Sequence, residues 1–299
     1  MKKIICFVFL FYIIISIKSF AGILVLQSDF GVKDSAVAEM KGVALSVDER
    51  LIVVDNTHLI EQFNIWEGAY RLFQSIKTFP KNTVFVSVID PGVGTERRSI
   101  VVKTKDNHYI VTPDNGTITF IDKEIGIKEA REIDECRHRI EGSGTSYTFY
   151  GRDVYVYTGA KLASGKISFE EVGRAIDIKK LKHLNYQKSN FTNGTLHGNI
   201  PILDVNYGNV WTNIDRQTAN KIKLKHGDKY DISITNGGKK SLIRNIVYDN
   251  TFGNVKAGQP VMYFNSLNFL SVGLNVGNFA KTYNVQYGPN WKISISKSK

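Results

Sequence analysis

Asp90 and Arg97 stand seven residues apart, around the turn Pro91-Gly92-Val93-Gly94 and directly after the apolar run Val84–Ile89. The run is short and rich in β-branched residues, as in a strand covered on both faces. An acid just past the carboxyl end of such a strand lies where open α/β sheets place their ligands. The glycines let the backbone approach a ligand closely, and Arg97 can fold back on Asp90 and keep it ionised. The same residues also make an ordinary turn with a surface ion pair, because Asp-Pro-Gly is common turn chemistry. Two further acids repeat the placement: Asp29 follows the run Ile23–Leu26, and Asp55 follows Leu51–Val54.

The elements around these acids alternate. Asp34-Ser35 can cap a helix that continues through Val37, Met40, Val43, Ala44 and Val47 at helical spacing. A second helix is expected from Trp66 to Phe79, broken by Pro80-Lys81-Asn82. Strand, helix, strand, helix, strand predicts a parallel sheet with helices on its faces, and parallel topology sets Asp29, Asp55 and Asp90 on one edge. No G-x-G-x-x-G follows the first strand, which disfavours a dinucleotide fold. Strands are expected near Ile100–Lys103 and Tyr109–Val111, with a turn at Pro113-Asp114-Asn115-Gly116 and a helical stretch from Ser146 to Ser164. Lys, Asn, Gln and Gly enrichment marks a linker over 181–195. Beyond it, six short strands at even spacing suggest a sandwich or barrel. The expected fold is an α/β domain over 22–180 with a central, mainly parallel sheet, followed by an all-β barrel domain over 196–299.

A chain of 299 residues holds one large domain or two ordinary ones, and 42% hydrophobic with 22% charged residues is globular. Lys2 and Lys3 precede the apolar run Ile4–Ile17, and Ser19-Phe20-Ala21 supplies small residues. This predicts a signal peptide over 1–21, cleaved near Ala21, and an exported protein, periplasmic or secreted; the competing reading is an uncleaved anchor. No stable membrane anchor is expected, because the run is short for a span. Removing Cys6 with the leader leaves Cys136 alone, so no internal disulfide can form. The net charge of +11 becomes +8 once Lys2, Lys3 and Lys18 are subtracted. The remaining lysines are scattered and the sheet edge carries acids, so no nucleic-acid partner is expected.

Six motifs in order carry a resemblance. They are Ser28-Asp29-Phe30-Gly31 with Met40-Lys41-Gly42; Asp90 to Arg98; Pro113-Asp114-Asn115-Gly116; Phe149-Tyr150-Gly151-Arg152-Asp153; Tyr207 to Ile214; and Asn265-Ser266 with Ser271 to Asn275. Together, over about Gly22 to Tyr287, the chain resembles the S-adenosylmethionine hydroxide adenosyltransferases, also called S-adenosylmethionine hydrolases, and the related fluorinase and chlorinase. The resemblance implies displacement at C5′ of S-adenosylmethionine by water, giving adenosine and L-methionine, or by halide, giving a 5′-halo-adenosine. It also implies a homotrimer with each site between the N-terminal domain of one subunit and the C-terminal domain of the next. The sulfonium leaves as a neutral thioether, so no general acid, metal or cofactor is needed; S-adenosylmethionine is the substrate.

By the same resemblance, Asp29 accepts from both ribose hydroxyls, which two carboxylate oxygens suit. Asp34 matches a residue near the methionine amino group, although helix capping explains it equally. Phe63 falls where halogenases pack an aromatic on ribose and sulfonium, and it fits a core position as well. Tyr207 and Asn209 match groups around adenine, Ser266 a contact to the methionine carboxylate, and Asn275 an adenine-contacting segment. Asp90 and Arg97 match two members of a hydrolase Asp-Arg-His triad. The third member is Tyr150, where hydrolases carry histidine and halogenases tyrosine, followed by Gly151 as in the chlorinase. A phenol is a poor base at neutral pH, and none of the six histidines stands at that position. Three outcomes follow: hydrolysis with Asp90, Arg97 and Tyr150 catalytic; a chlorinase-like halide adenosyltransferase; or a catalytically impaired protein that binds adenosine or S-adenosylmethionine.

Overall fold

The computed structural model describes residues 22–298. Strand β1 (Ile23–Ser28), helix α1 (Ala36–Val47), strand β2 (Ile52–Thr57), helix α2 (Ile65–Ile76) and strand β3 (Val84–Val88) open the chain. β1 pairs in parallel with both β2 and β3, as the helical crossovers require. β3 is buried at every position, which accounts for its apolar sequence; its one polar residue, Ser87, accepts from the Gln27 amide at 2.7 Å. In α2, Trp66, Ala69, Tyr70, Phe73 and Ile76 recur at i, i+3, i+4 spacing and are all buried. The Asn64 side chain caps this helix, accepting from the Glu67 N–H at 3.0 Å.

Strands β4 (Ser99–Thr104) and β5 (Tyr109–Pro113) form an antiparallel hairpin, and β5 lies parallel to β3. Helix α3 (Thr119–Glu124) leads to β6 (Ile127–Glu132). A π-helical turn over Gly151–Val156 then runs into α4 (Tyr157–Ala163), which is followed by the short strand β7 (Ala175–Ile176). The seven-stranded order is β2-β1-β3-β5-β4-β6-β7. The sheet expected to be mainly parallel is therefore mixed, with β4, β6 and β7 running antiparallel to their neighbours. The link over 105–108 suits a hairpin and is too short for a parallel crossover, which takes about a dozen residues. Helix α4 packs closely on the sheet at Gly159, where a Cβ would lie 2.7 Å from Val86 and 3.3 Å from Leu24.

The second half comprises β8 (Asn190–Thr192), β9 (Thr195–Asn199), β10 (Ile202–Asp204), β11 (Asn209–Asp215), α5 (Arg216–Ala219), β12 (Lys229–Asn236), β13 (Lys239–Tyr248), β14 (Pro260–Phe264), β15 (Phe269–Leu274), α6 (Phe279–Tyr283) and β16 (Lys292–Lys297). They form one nine-stranded sheet ordered β10-β11-β15-β14-β13-β12-β16-β9-β8. Where a barrel was expected, the hydrogen-bonded series ends in β10 and β8, each only three residues long. β9 approaches β11 through a side-chain bridge, the Asn199 N–H donating to Asn213 Oδ1 at 2.7 Å. The basic C-terminus forms an internal strand: Ile293 and Ile295 are fully buried, and β16 sits between β12 and β9.

One apolar cluster joins the halves, with Trp66, Phe73 and Phe120 on one side and Ile202, Trp211 and Phe269 on the other. The Trp66 indole donates to the Pro201 carbonyl at 2.8 Å. Leu184 and Tyr186, from the stretch 181–195, pack on the same cluster. The leader expected over 1–21 lies outside the described residues. Among the described residues no helix is long and apolar enough to cross a membrane. The exported localisation rested on the composition of that stretch alone, nothing in the structure supports it, and it is withdrawn.

Candidate active site

Asp90 and Arg97 do fold together. Arg97 Nε donates to Asp90 Oδ2 at 2.9 Å and Nη2 to the same oxygen at 2.7 Å, with Nε also 3.1 Å from Oδ1. This is no surface ion pair: the two side chains are 5% and 6% exposed. A charge-assisted, forked contact of this kind is strong and directional. Gly92 makes room for it, because a Cβ there would sit 3.3 Å from Arg97 Cγ. The Pro113–Gly116 motif serves the same turn. Asn115 donates to the Ile89 carbonyl at 2.8 Å, and buried Asp114 pairs with Arg98. Burial opposes the Arg97 charge, yet its hydrogen bonds to Asp90 and the charges around it outweigh that, and the guanidinium is held above its ordinary pKa.

Tyr150 immediately precedes the π-helical turn and Tyr155 lies within it. A π turn brings residues five apart to one side. Arg97 Cζ accordingly lies 4.4 Å from the Tyr150 ring centre and 5.5 Å from that of Tyr155. Arg139 also lies on the Tyr150 ring, at 4.6 Å. Burial raises the Tyr150 phenol above its ordinary pKa, and Glu135 adds to this beyond the lowering by the two arginines. The Tyr150 ring thus packs on the Arg97 guanidinium. Tyr155 donates to Asp90 Oδ2 at 3.4 Å, and Arg97 Nη1 donates to Ser99 Oγ at 3.2 Å, whose own hydroxyl donates to Glu135 at 2.7 Å.

Asp29 lies just past the end of β1. Its Oδ2 accepts from the Phe63 N–H at 2.8 Å, which leaves the other oxygen free of protein contacts among the described residues. Phe63 takes a left-handed backbone at φ 65° and its ring is 68% exposed, so it is not a core residue. Asp34 accepts from the Ala36 N–H at 3.0 Å just before α1, whose N-cap position is taken by Ser35 without a side-chain cap bond. Asp55, the third strand-edge acid, is tied to Lys41 at 2.6 Å and to His58 at 3.2 Å.

Tyr207, Asn209 and Ser266 line a cleft of about 490 Å³ with Asp204, Trp211, Phe252, Tyr263, Leu274 and Val276. Every lining residue comes from the second half of the chain. Asn209 is 6% exposed; its Nδ2 donates to Asp204 at 3.2 Å, while its Oδ1 is buried without a partner. A buried acceptor left open is costly, and Gly273 leaves room for this one, since a Cβ there would sit 2.2 Å from it. Asn265 holds the turn that presents Ser266, its Oδ1 accepting from the Leu267 and Phe269 N–H groups at 2.9 and 3.1 Å. Asn275 donates to the Val255 carbonyl at 2.7 Å and is not among the lining residues. Asp29, Phe63, Asp90 and Arg97 thus lie in the first half of the chain, and Tyr207, Asn209 and Ser266 line a cleft of the second half that none of them enters.

These two halves coincide with two family descriptions. The S-adenosylmethionine hydroxide adenosyltransferase N-terminal domain matches residues 24–173, and the C-terminal domain of the same family matches residues 198–292. The chain belongs to this family. It is 33% identical over 270 residues to an (R)-S-adenosyl-L-methionine hydrolase of Methanocaldococcus jannaschii, covering 89% of this chain and 93% of that one. It is 28% identical over 298 residues to a fluorinase of Actinopolyspora mzabensis, covering 92% and 97%. A crystal structure of an uncharacterized conserved protein from Thermotoga maritima superposes with a TM-score of 0.82 at 30% identity, over 92% of this chain and all of that one.

In this member of the adenosyltransferase family, sequence spacing missed Tyr155, Ser99, Glu135 and Arg139 around the ion pair, and Asp204, Phe252 and Tyr263 in the cleft. Tyr155 carries no signal at the helical period of 3.6, since five residues separate neighbours only in a π turn. Among the described residues no group of three or more His, Cys, Asp and Glu could hold a metal.

His58 and His138, 3% and 2% exposed, both have their pKa lowered by burial. As pH falls below the ordinary histidine value of about 6.5, the unfolded chain therefore takes up protons first and the folded state loses stability. Thermal melting should show a lower Tm at pH 5.5 than at pH 7.5, with a smaller drop in the His58→Gln, His138→Gln double variant. Equal drops in both proteins would contradict this.

Proposed function

We propose that this protein hydrolyses S-adenosylmethionine to adenosine and L-methionine. Water attacks C5′ in line with the departing sulfonium, the C5′–O bond forms as the C5′–S bond breaks, and methionine leaves with the sulfur electron pair. Water gives up one proton, and no cofactor is required. The observation that carries the reading is the buried Asp90–Arg97 pair: a carboxylate fixed by a forked guanidinium, with Tyr155 on the same oxygen. In this reading the pair orients the attacking water and stabilises the charge as the proton leaves. Asp29 takes the ribose diol with Phe63 over the sugar, and Asn209 Oδ1 accepts from the adenine amine with Tyr207 as a stacking face. Ser266 faces the methionine carboxylate, and Asn275 keeps the adenine-side backbone in place. Asp34 is retained near the methionine amino group.

In this reading the stretch 181–195 divides the chain, with 22–180 supplying the ribose and water side and 196–299 the adenine and methionine side. The protein assembles as a homotrimer with each site between subunits. Support comes from two exposed apolar groups that differ from one another, Val32, Leu59 and Phe63 around the Asp29 loop and Val205, Tyr207 and Val276 at the cleft rim. Contact between two unlike patches is heterologous and is satisfied by a closed ring.

A second reading, a chlorinase-like halide adenosyltransferase, is favoured by Tyr150 followed by Gly151. Product analysis separates them. Incubation with S-adenosylmethionine should release equimolar adenosine and methionine in chloride and chloride-free buffer alike. 5′-Chloro-adenosine appearing only with chloride would establish the second reading, and adenosine binding without any product would leave a binding protein.

A further inference from the structure

Ser28, His58, Asp55 and Lys41 form a chain of contacts that the proposed reaction does not use. Ser28 Oγ lies 2.7 Å from His58 Nδ1, and both residues are buried. His58 Nε2 lies 3.2 Å from Asp55 Oδ1, and Lys41 Nζ lies 2.6 Å from Asp55 Oδ2. Hydrogen bonds from Lys41 and His58 lower the Asp55 pKa against its desolvation, so the carboxylate is ionised at neutral pH and can only accept. His58 therefore carries its proton on Nε2, and its Nδ1 accepts the Ser28 hydroxyl.

The chain ends on the loop that carries Asp29. Ser28 immediately precedes Asp29, and its Oγ also accepts from the Phe30 N–H at 3.3 Å. The Gly31 N–H donates to the His58 carbonyl at 2.8 Å. His58 thus grips the loop twice, by its ring before Asp29 and by its backbone after it. Ser28 is no nucleophile, because it has no exposed surface.

We infer that neutral His58 is a positioning residue that locks the Asp29 loop into its ligand-binding form, and that protonating His58 releases the lock. Protonation turns Nδ1 from acceptor to donor. The buried Ser28 hydroxyl then has nowhere to place its proton, and the loop must shift to satisfy it. The charged groups that face the ring are Asp55 on β2, which favours its protonation, and Lys41 on α1, which opposes it. The inference rests on the proposed function only for the ligand at Asp29, with adenosine as the probe.

The test uses the full chain. Two-dimensional NMR of labelled histidine gives the His58 tautomer and its titration midpoint. Amide exchange of Phe30 and Gly31 reports the loop, and calorimetry reports adenosine affinity across the same pH range. The expected wild-type result is an Nε2–H tautomer, with loop protection and affinity both falling along the His58 titration, affinity by about tenfold. Ser28→Ala should weaken binding by about tenfold at neutral pH and remove the pH dependence. His58→Gln, whose amide can both accept from Ser28 and donate to Asp55, should keep neutral-pH affinity and lose the acid decline. Lys41→Met should move the midpoint to higher pH. Protection of Phe30 and Gly31 that ignores the His58 titration, or a His58→Gln variant that retains the wild-type pH curve, would overturn the inference. Absence of adenosine binding in the wild type at every pH would instead count against the proposed function, and the exchange data would still decide the role of His58.

Discussion

Turnover of S-adenosylmethionine should be lost in Asp90→Ala, with kcat falling by about a thousandfold and adenosine affinity nearly unchanged. The first half of that expectation follows from position. Asp90 is the one strand-edge carboxylate held by a forked guanidinium and a tyrosine hydroxyl on the same oxygen. A group that orients the nucleophile acts on the barrier and contributes factors of about 10² to 10⁴. The second half follows because Asp90 is not among the residues that line the cleft in which the proposed function seats adenine. The substitution also leaves Arg97 charged and buried without its partner, which costs about 3–5 kcal/mol. Asp90→Asn is therefore the companion variant. It keeps the shape, places neutral donors and acceptors beside Arg97, and should lose nearly as much kcat while melting closer to the wild type. Steady-state assays of released adenosine, read beside calorimetric binding, separate the two effects. An Asp90→Asn enzyme with undiminished kcat would remove Asp90 from the mechanism.

Mixing two inactive variants should restore activity. Asp29→Ala removes the carboxylate to which the proposed function assigns the ribose diol, and Asn209→Ala removes the amide to which it assigns adenine. Either variant alone should show under about one hundredth of wild-type kcat/KM, because each deletes hydrogen bonds to a buried or charged partner. If sites form between subunits, a co-refolded equimolar mixture pairs an intact N-terminal half with an intact C-terminal half at about one interface in four, by random assembly of a ring. About a quarter of wild-type activity should return. Light scattering on the same samples should give three times the mass of the chain. No recovery from a mixture shown to exchange subunits would mean that each site is built within one chain.

Much of this arrangement was legible in the residues. Strands β1, β2 and β3 and both crossover helices follow from apolar runs of the right length and period, and the seven-residue spacing of Asp90 and Arg97 around a glycine turn announced their pairing. The short link over 105–108 already dictates that β4 and β5 run antiparallel, whereas the places of β6 and β7 were not legible, because they depend on which edge is free once β3, β5 and β4 have paired. β16 reads as a basic tail because its lysines and serines face outward, and only its alternate isoleucines, Ile293 and Ile295, record that it is an interior strand.

The sequence by itself determined the family and the identity of the residues at each motif, Tyr150 followed by Gly151 among them. Local chemistry is written in residue types and short spacings, so these survive without coordinates. Tertiary structure alone decided where that tyrosine sits. A π turn sets Tyr150 and Tyr155 together against Arg97, and burial raises the Tyr150 phenol above its ordinary pKa. Only the folded chain, too, sets the Asp90–Arg97 pair apart from the cleft lined by Tyr207, Asn209 and Ser266. Both depend on which side chains lose their water when distant segments meet, and no spacing along the chain encodes that.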